Sequence, residues 1–387
     1  MRRGTRHFVR LTTLLNRQLR GTRSGATSIV NTLGITRAKS DSTLSRMKKI
    51  KVIQFGLGPI GIESLKLAAD QSWLEITGGV DIDPAKVGKS LGEVTGVEAL
   101  TGSRVYGSLE ALLSAVGRPD VVLHTAGSSA AASFAQMRPA LEQGVSVAST
   151  CEELIFPALK TPDAVQEYDA LCQRTGARIA GTGVNPGFVM DILPICLTGV
   201  SRDVRSIYVE RVVNASTRRQ PLQAKIGSGQ NPDDFRAKFA AGKAGHAGFQ
   251  QSVALLAHAM GWKLDEIRES CEPVVATSRV VTKFFDVAPG QSVGIHQKCV
   301  GLVGGETRIK LDLQMYLEAS LPHDAIVVKG RPDLNLVLNG GVAGDDATVA
   351  SLINIVPRLL AATPGVRLMT ELAVPSWQNP RPGKNSS

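Results

Sequence analysis

Aromatic residues, paired cysteines and long apolar runs are all scarce in this chain. Aromatic residues make up 4% of its 387 residues and no basic patch is interleaved with them, which argues against a nucleic-acid-binding protein. No apolar stretch approaches the roughly 18 residues of a membrane span, so none is predicted. The five cysteines are scattered without a CxxC pair, which argues against disulfides or zinc and favours a reducing compartment. His and Glu pairs at metal-binding spacing are absent too, so no metal is predicted.

Acidic residues are nearly absent from the first 49 residues, where twelve Lys and Arg accompany Asp41 alone. The net charge of +10 therefore belongs to this leader rather than to the rest of the chain. Such an Arg-rich and Ser-rich composition is typical of a mitochondrial transit peptide. Alternatively, MKKIKVIQFG, which begins at Met47, is a natural N-terminus for a soluble enzyme, and the leader results from a mis-assigned start. We expect residues 1–48 to be one or the other, with a cytoplasmic location or, for a transit peptide, the mitochondrial matrix.

Short apolar runs alternate with helical stretches from Ile50 to about residue 198. This alternation predicts an α/β fold with a parallel sheet and helices on both of its faces. Pro139 predicts a kink or break in the helix that surrounds it. The predicted strands are IKVIQF, LEITGGVDI, PDVVLHTAG, VSVAST and ARIAGTG.

Longer stretches with strand character follow residue 200. In the segment from 306 to 320, apolar residues alternate with polar ones from Ile309 to Leu317. A period of two with one polar face predicts a large, mostly antiparallel sheet covered on one side. Its uncovered face or edge predicts a homodimer. Further strands are expected at 204–213, 272–287 and 292–304, helices near 232–241 and 248–260, and a late helix broken by Pro357.

A glycine-rich turn joins the first predicted strand to the first helix. In VIQFGLGPIG, Gly56 would permit the tight turn, Gly58 would let a pyrophosphate approach the backbone, and Gly61 would let helix and strand pack closely. The helix N-terminus would face the phosphates with unpaired N–H groups. The predicted phosphate-binding residues are Gly56, Leu57, Gly58, Pro59, Ile60 and Gly61.

An acid follows this turn at the distance expected for ribose recognition. Asp81 ends the second strand, where a carboxylate accepts hydrogen bonds from the 2′-hydroxyl of NAD and repels the 2′-phosphate of NADP. Lys86 is close enough in sequence to weaken that preference. The predicted cofactor is therefore NAD or NADP, with NAD slightly favoured. Further candidate cofactor-binding residues at strand ends are Thr125, Ser128 and Asn185.

The patterns together predict a Rossmann dinucleotide-binding domain followed by an α+β substrate domain. The Rossmann domain is expected to occupy residues 49–198, and the substrate and dimerisation domain residues 199–343. The late helix, within residues 344–375, is expected to pack back on the Rossmann domain. A disordered tail is expected over residues 376–387.

Two adjacent acids, Glu152 and Glu153, follow the strand VSVAST at an end where ligands of open parallel sheets bind. Either carboxylate could hold or deprotonate a cationic amine, and both are candidate catalytic residues. Alternatively, Ser149 and Glu152 fit a capping box, which would occupy only one of the acids. Cys151 is not expected to act as a nucleophile.

Two loops supply the candidate substrate-binding residues. The loop GTGVNPGF could present backbone N–H groups and the Asn185 amide to a ligand beside Pro186, although it could also be an ordinary turn. His246 lies between glycines in AGHAG, where it is free to reach a ligand. The other histidines that could matter have no convergent partners in sequence, and we predict structural roles for His124, His296 and His323.

Five segments in order give the chain a family resemblance from about residue 47 to 375. They are VIQFGLGPIG with VDIDPAKVGKSLGEVTG, STCEELIFP, GTGVNPGFVMDILP, GKAGHAGFQQSVALLAHAMGW and GGVAGDDATVASLINIVPRLLAATPGV. The chain resembles the dihydrodipicolinate reductase-like family, and within it the 2,4-diaminopentanoate dehydrogenases and related amine dehydrogenases. The His-His…Lys segment of true dihydrodipicolinate reductases has no match here, which argues against their reaction.

The resemblance implies reversible NAD(P)-dependent deamination of an amine to a ketone and ammonia, with a carboxylate from Glu152 or Glu153 near the amine. Two alternatives stay open. One is an NAD(P)H-dependent imine or carbonyl reductase, and the other is a dinucleotide-binding regulator without catalysis. A diamino acid substrate would also need an anion anchor, for which Arg218, Arg219 and Lys225 are candidates. Alternatively, these residues form an ordinary solvated basic loop without a binding role.

Overall fold

A parallel sheet occupies most of the first half of the chain in the computed structural model, which describes residues 48–377. The strand order is β15-β6-β5-β4-β1-β2-β3, and every pairing is parallel. The predicted α/β fold with a parallel sheet is confirmed. The predictions for residues 1–47 and for the tail beyond residue 377 lie outside the described residues. The strands are β1 (Ile50–Phe55), β2 (Leu74–Val80), β3 (Val105–Tyr106), β4 (Val121–His124), β5 (Ser146–Ser149), β6 (Arg178–Gly181) and β15 (Gly365–Val366).

Helices cover both faces of this sheet because its central strands are apolar on both sides. Val122 faces a core formed with α3, α4 and α5, whereas its neighbours Val121 and Leu123 face a core formed with α1, α10 and α11. The late helix thus packs beside α1, on the face of the sheet that the first crossover also covers. The helices are α1 (Pro59–Ala69), α2 (Leu91–Thr95), α3 (Leu109–Val116), α4 (Ala130–Glu142), α5 (Pro162–Thr175), α10 (Gly344–Asn354) and α11 (Val356–Ala361).

A second sheet follows in the order β14-β13-β7-β12-β11-β8. Its pairings are antiparallel except for the parallel pair β7 and β12, so the predicted mostly antiparallel sheet is confirmed. Ile309, Leu311 and Leu313 of β12 are fully buried on one face, as their alternation predicts. The strands are β7 (Arg202–Asn214), β8 (Glu266–Val275), β11 (Ser292–Val303), β12 (Glu306–Tyr316), β13 (His323–Arg331) and β14 (Leu334–Asn339).

Four further helices lie in this second half. Phe249 and Val253 of α9 pack with β12 in the core of the second sheet. The helices predicted near 232–241 and 248–260 are confirmed as α8 and α9. The helices are α6 (Ile192–Thr198), α7 (Gln220–Lys225), α8 (Pro232–Ala240) and α9 (Phe249–Ala259). No helix among the described residues is long and apolar enough to cross a bilayer.

Three local predictions meet different outcomes. The single strand expected at 272–287 is wrong: β8 ends at Val275, and a short hairpin of β9 (Val280–Val281) and β10 (Asp286–Val287) follows. The Thr282 hydroxyl accepts backbone N–H groups two and three residues later and so competes with a continuous ladder. No break occurs at Pro139, because α4 runs without interruption from Ala130 to Glu142. The break predicted near Pro357 is confirmed, since α10 ends at Asn354 and α11 begins at Val356.

Candidate active site

The glycine turn between β1 and α1 has a tightly constrained backbone. Gly56 has φ of +89°, and a Cβ on Gly61 would collide with the Gly56 carbonyl oxygen. The Thr125 hydroxyl donates to that same oxygen at 2.9 Å, which ties the end of β4 to the turn. Thr125 therefore stabilises the glycine turn.

Space for a phosphate lies at the start of α1. The helix begins at Pro59, its N-cap Gly58 supplies no side-chain cap, and a Cβ on Gly58 would meet no atom within 4 Å. The first N–H groups of α1 are thus available to an anion, which the helix dipole also favours. The Leu57 side chain is fully buried, so this residue has only backbone to offer a ligand. This cradle fits a dinucleotide pyrophosphate.

Asp81 lies directly beside this turn, at the end of β2. One carboxylate oxygen accepts the Leu57 N–H at 2.8 Å, and the other accepts the Asp83 N–H at 2.9 Å. Lys86 Nζ lies 3.2 Å from the same carboxylate. Burial raises the pKa of Asp81, but the two N–H groups and Lys86 outweigh it, so the pKa lies below its ordinary value. The site therefore joins an ionised acid to a neighbouring cation.

The two acids that follow β5 have different surroundings in the structure. Glu153 accepts the Ala130 N–H at the start of α4 at 2.9 Å, and it pairs with Lys160 Nζ at 2.9 Å. Glu152 lines a cavity instead, where burial raises the pKa of its carboxyl against the lowering effects of its own N–H, the Ser128 hydroxyl and Lys225. Of these two acids, only Glu152 therefore offers its carboxylate to a ligand in that cavity.

The environments of Ser149, Cys151 and His124, which lie close to these acids, also indicate their roles. Ser149 Oγ accepts the Cys151 N–H at 3.0 Å and lies 2.8 Å from His124 Nδ1, so the capping box with Glu152 is not formed. Burial raises the pKa of the Cys151 thiol and thereby disfavours the thiolate. His124 is fully buried and has its pKa lowered to about 4 by burial, which agrees with a structural role.

The cavity lies between the carboxyl edge of the parallel sheet and the inner face of the second sheet. Its volume is about 310 Å³. Ile60 of the glycine turn lines it together with Glu152, so the candidate phosphate and amine sites are contiguous. Apolar side chains from the second sheet form its floor: Val213, Ile295 and Met315.

Two loops meet beside Glu152, one with Asn185 and Pro186 and the other with Gly248. A Cβ built on Gly248, whose φ is +92°, would lie 2.5 Å from Pro186 Cγ and 3.0 Å from Glu152 Cβ. The glycine therefore permits a contact that a larger residue would block. Asn185 also lines the cavity, and its Nδ2 is buried without a hydrogen-bond partner among the described residues. Such an unpaired donor is suited to a ligand oxygen.

His246 lines the same cavity, with its tautomer set by a backbone contact. Its Nε2 lies 2.8 Å from the Asn185 carbonyl oxygen, which can only accept, so Nε2 carries the hydrogen. Burial lowers the pKa of His246 to about 4, which leaves the ring neutral near pH 7. Nδ1 is then a bare acceptor without a partner among the residues that the structure describes. The ring can accept a hydrogen bond from an amine.

The wall formed by β7, α7 and α10 is basic. Arg211 is buried and pairs with Asp324 at 3.2 Å, while Arg218 and Arg219 share the carboxylate of Asp345 at 2.8 and 3.3 Å. Sequence reasoning missed Arg211 and Asp345. An arginine within a strand that is otherwise apolar on its inner face was the available signal for Arg211.

Comparisons with known proteins identify the family of the chain. The sequence model of the 2,4-diaminopentanoate dehydrogenase C-terminal domain matches residues 188–379. The chain is 31% identical to the 2,4-diaminopentanoate dehydrogenase of Acetoanaerobium sticklandii over 340 residues, which cover 85% of this chain and 95% of that protein. It is 25% identical to the amine dehydrogenase of Streptomyces virginiae, over 82% of this chain and 94% of that protein.

A solved structure shares the fold. The amine dehydrogenase from Mycobacterium smegmatis superposes with a TM-score of 0.76 at 21% sequence identity, covering 87% of this chain and 99% of that one. The resemblance that the five sequence segments indicate is thereby confirmed. The chain belongs to the 2,4-diaminopentanoate dehydrogenase family.

Proposed function

We propose that this protein is an NAD(P)-dependent amine dehydrogenase, which converts an amine such as 2,4-diaminopentanoate, with water, to 2-amino-4-oxopentanoate and ammonia in a reversible reaction. The observation that carries the proposal is the Glu152 carboxylate, which faces a cavity that also reaches the glycine turn at Ile60. Membership of the family supports the same reaction.

Glu152 is the proposed proton acceptor. An alkyl amine has a pKa near ~10, so it arrives as an ammonium ion, and its nitrogen must lose a proton before the adjacent C–H bond can release hydride. The carboxylate first binds the ammonium and then holds its proton. A nicotinamide dinucleotide bound at the glycine turn supplies the hydride acceptor. Nδ1 of His246 and Nδ2 of Asn185 orient the substrate beside the carboxylate.

Water and the protonated Glu152 complete the proposed reaction. Loss of hydride leaves a carbon doubly bonded to nitrogen, and a water molecule adds to that carbon. The protonated Glu152 first releases its proton to solvent, and the carboxylate then accepts a proton from the water and passes it to the nitrogen. It takes up the remaining hydroxyl proton as the carbon–nitrogen bond breaks, so that the ketone and ammonia form. One carboxylate thus serves as base and then as acid.

The pH dependence of the reaction should follow Glu152. Its pKa lies above the ordinary value of 4.5, and the base is lost as the pH falls through that raised pKa. Lys225 lowers this pKa, whereas Glu153 raises it. We therefore expect Lys225→Met to move the acid limb of kcat/KM to higher pH, measured with an amine that carries no anionic group. A limb that stays in place would contradict the assignment of this titration to Glu152.

Lys86 is proposed to permit the use of NADP beside Asp81. Because its ammonium lies 3.2 Å from the Asp81 carboxylate, it partly offsets the charge that would repel a 2′-phosphate. Lys86→Glu should lower kcat/KM for NADP by about tenfold or more, with a smaller change for NAD. Initial rates with both cofactors measure this ratio, and Lys89→Glu is the control. Equal losses for the two cofactors would disprove the role.

The function itself is tested by recording NADH and NADPH formation at alkaline pH with 2,4-diaminopentanoate and a panel of simpler amines. Turnover that releases ammonia supports the proposal. Reduction of an imine or a carbonyl compound that is indifferent to ammonium would support a reductase instead. Cofactor binding without turnover of any amine or imine would support a regulator.

A further inference from the structure

His246 belongs to a loop whose backbone needs external support. Gly242, Gly245 and Gly248 of this loop have φ values of +68°, +90° and +92°. Glycine loses more conformational freedom on folding than any other residue, so ordering such a segment is costly. Gly245 and His246 also line both the active-site cavity and a second cavity of about 550 Å³. Because the segment borders two open spaces, packing alone restrains it weakly.

The Gln297 side chain supplies that support from the second sheet. Its Oε1 accepts the His246 N–H at 2.7 Å, and its Nε2 donates to the His246 carbonyl oxygen at 2.9 Å. One amide is thus paired with both backbone polar groups of one residue, in the way that a neighbouring antiparallel strand pairs them. A Cβ on Gly245 would lie 3.2 Å from Gln297 Oε1, so a glycine at this position eases the close approach.

Gln297 is a polar residue in an apolar row. It lies on the inner face of β11 between Ile295 and Cys299, which are fully buried, and it is itself only 1% exposed. An amide in such surroundings costs free energy unless its donors and its acceptor are paired. An apolar side chain would serve the core at least as well, so core packing does not account for a glutamine here. Its hydrogen bonds do.

Glu269 on the adjacent strand β8 sets the orientation of this amide. One of its carboxylate oxygens accepts Gln297 Nε2 at 2.6 Å, and the other accepts Gln250 Nε2 at 2.8 Å. A carboxylate can only accept, so it draws the NH₂ end of the Gln297 amide and leaves Oε1 for the His246 N–H. Both hydrogens and the oxygen of that amide are then used.

The imidazole of His246 depends on this hold of its backbone. The ring reaches the Asn185 carbonyl oxygen with Nε2 at 2.8 Å and meets the Phe249 ring edge-on, with centroids 5.8 Å apart. A shift of the His246 backbone would stretch the Nε2 hydrogen bond, which fixes the tautomer. Nδ1 would then cease to be the bare acceptor of the ring.

We propose that Gln297, oriented by Glu269, is a positioning residue that holds the imidazole of His246 beside the substrate amine. This role rests on the proposed amine dehydrogenation, in which His246 orients the substrate. Gln297 lines the second cavity and not the active-site cavity, so it acts through His246 rather than on the substrate.

Gln297→Met keeps the length of the side chain and removes its three hydrogen bonds. It should lower kcat/KM for 2,4-diaminopentanoate by about 10- to 100-fold, since a displacement of about 1 Å near the reacting groups can cost that much. In a His246→Ala background the same substitution should lower kcat/KM by less than about threefold, because the side chain through which it acts is gone. The Tm should fall by a similar amount in both backgrounds, because the backbone of residue 246 loses its partner in each.

Exchange of the amide and the acid gives a rescue test. Gln297→Glu alone places two carboxylates together and should lose activity as Gln297→Met does. Addition of Glu269→Gln restores a donor and an acceptor between the two side chains, with the direction of the hydrogen bond reversed. The double variant should therefore recover part of the lost kcat/KM, and a double variant no better than Gln297→Glu would contradict the role of Glu269.

Gln71→Met is the matched control, because Gln71 is also a buried glutamine with hydrogen bonds to Leu67 and Trp73, yet it lines neither cavity. It should lower the Tm and leave kcat/KM unchanged. Equal losses of kcat/KM on Gln297→Met in the wild-type and His246→Ala backgrounds would overturn the positioning role.

Nitrogen NMR spectra of the histidine side chains test the same role without turnover. The wild-type protein should show His246 as the Nε2–H tautomer, and Gln297→Met should show a mixture of tautomers. An unchanged His246 spectrum in the variant would overturn the positioning role. Absence of turnover with every amine in the wild type would instead overturn the proposed function, and the spectra would still decide whether Gln297 positions His246.

Discussion

Replacing Glu152 by glutamine is expected to lower kcat for amine oxidation by about 10² to 10⁴-fold, the usual contribution of a positioned general base. Glutamine keeps the shape of the side chain but can neither accept the proton nor offer a charge to the ammonium. Because Glu152 makes no structural ion pair among the described residues, the variant should fold normally. Stopped-flow measurement of hydride transfer, with dinucleotide affinity measured by fluorescence, separates chemistry from binding.

Glu153→Gln is the control for this prediction. It removes a charge one residue away, yet it should leave kcat nearly intact. Its cost should appear in the free energy of unfolding, by about 0.5–2 kcal/mol, because Glu153 accepts the Ala130 N–H at the start of α4 and pairs with Lys160. A Glu152→Gln variant with unchanged kcat, or a Glu153→Gln variant that loses it, would reverse the assignment of the two acids.

Two glycines of the turn should differ in the property that substitution by alanine changes. At Gly58 the substitution should weaken cofactor binding, and at Gly61 it should destabilise the fold. Gly58 has φ of −70° and open space around it, so Gly58→Ala should fold normally. Its methyl group would occupy the space proposed for the pyrophosphate, and the dissociation constant for NAD should rise at least about tenfold, or ~1.4 kcal/mol. Gly61→Ala should destabilise the protein by about 1–3 kcal/mol or more, because its Cβ meets the Gly56 carbonyl oxygen.

Isothermal titration with NAD and thermal unfolding of the protein without cofactor measure the two effects separately. Gly102→Ala is the control, since its Cβ also meets no atom within 4 Å but it lies away from the glycine turn. It should change neither quantity. Tight NAD binding by the Gly58→Ala variant would contradict the proposed position of the pyrophosphate.

The parallel sheet and its glycine turn could be predicted from sequence because their determinants are local. Apolar runs identify buried strands, and the spacing of Gly56, Gly58 and Gly61 is a property of one turn. Asp81 could be placed beside that turn because adjacent parallel strands end at the same edge. The strand β14 was not predicted, because it is an edge strand whose apolar residues are only partly buried.

The choice between Glu152 and Glu153 could not be made from sequence, since it depends on contacts across the chain. Glu153 is occupied by Ala130, 23 residues earlier, and no local pattern reports that contact. The pairing of Arg211 with Asp324 spans 113 residues, and that of Arg218 with Asp345 spans 127. These ion pairs therefore could not be predicted from the sequence alone.

The return of the C-terminal segment to the first sheet has a consequence for how the chain is made. Residues of α10 and α11 cover one face of the parallel sheet, and β15 pairs with β6 at its edge. During synthesis, the part of that face that α1 does not cover stays exposed until the ribosome has translated the entire second sheet, which lies between β6 and α10 in sequence. The nascent parallel sheet must therefore wait for α10, α11 and β15 before this apolar surface is fully buried, and chaperones have their longest opportunity to bind it there.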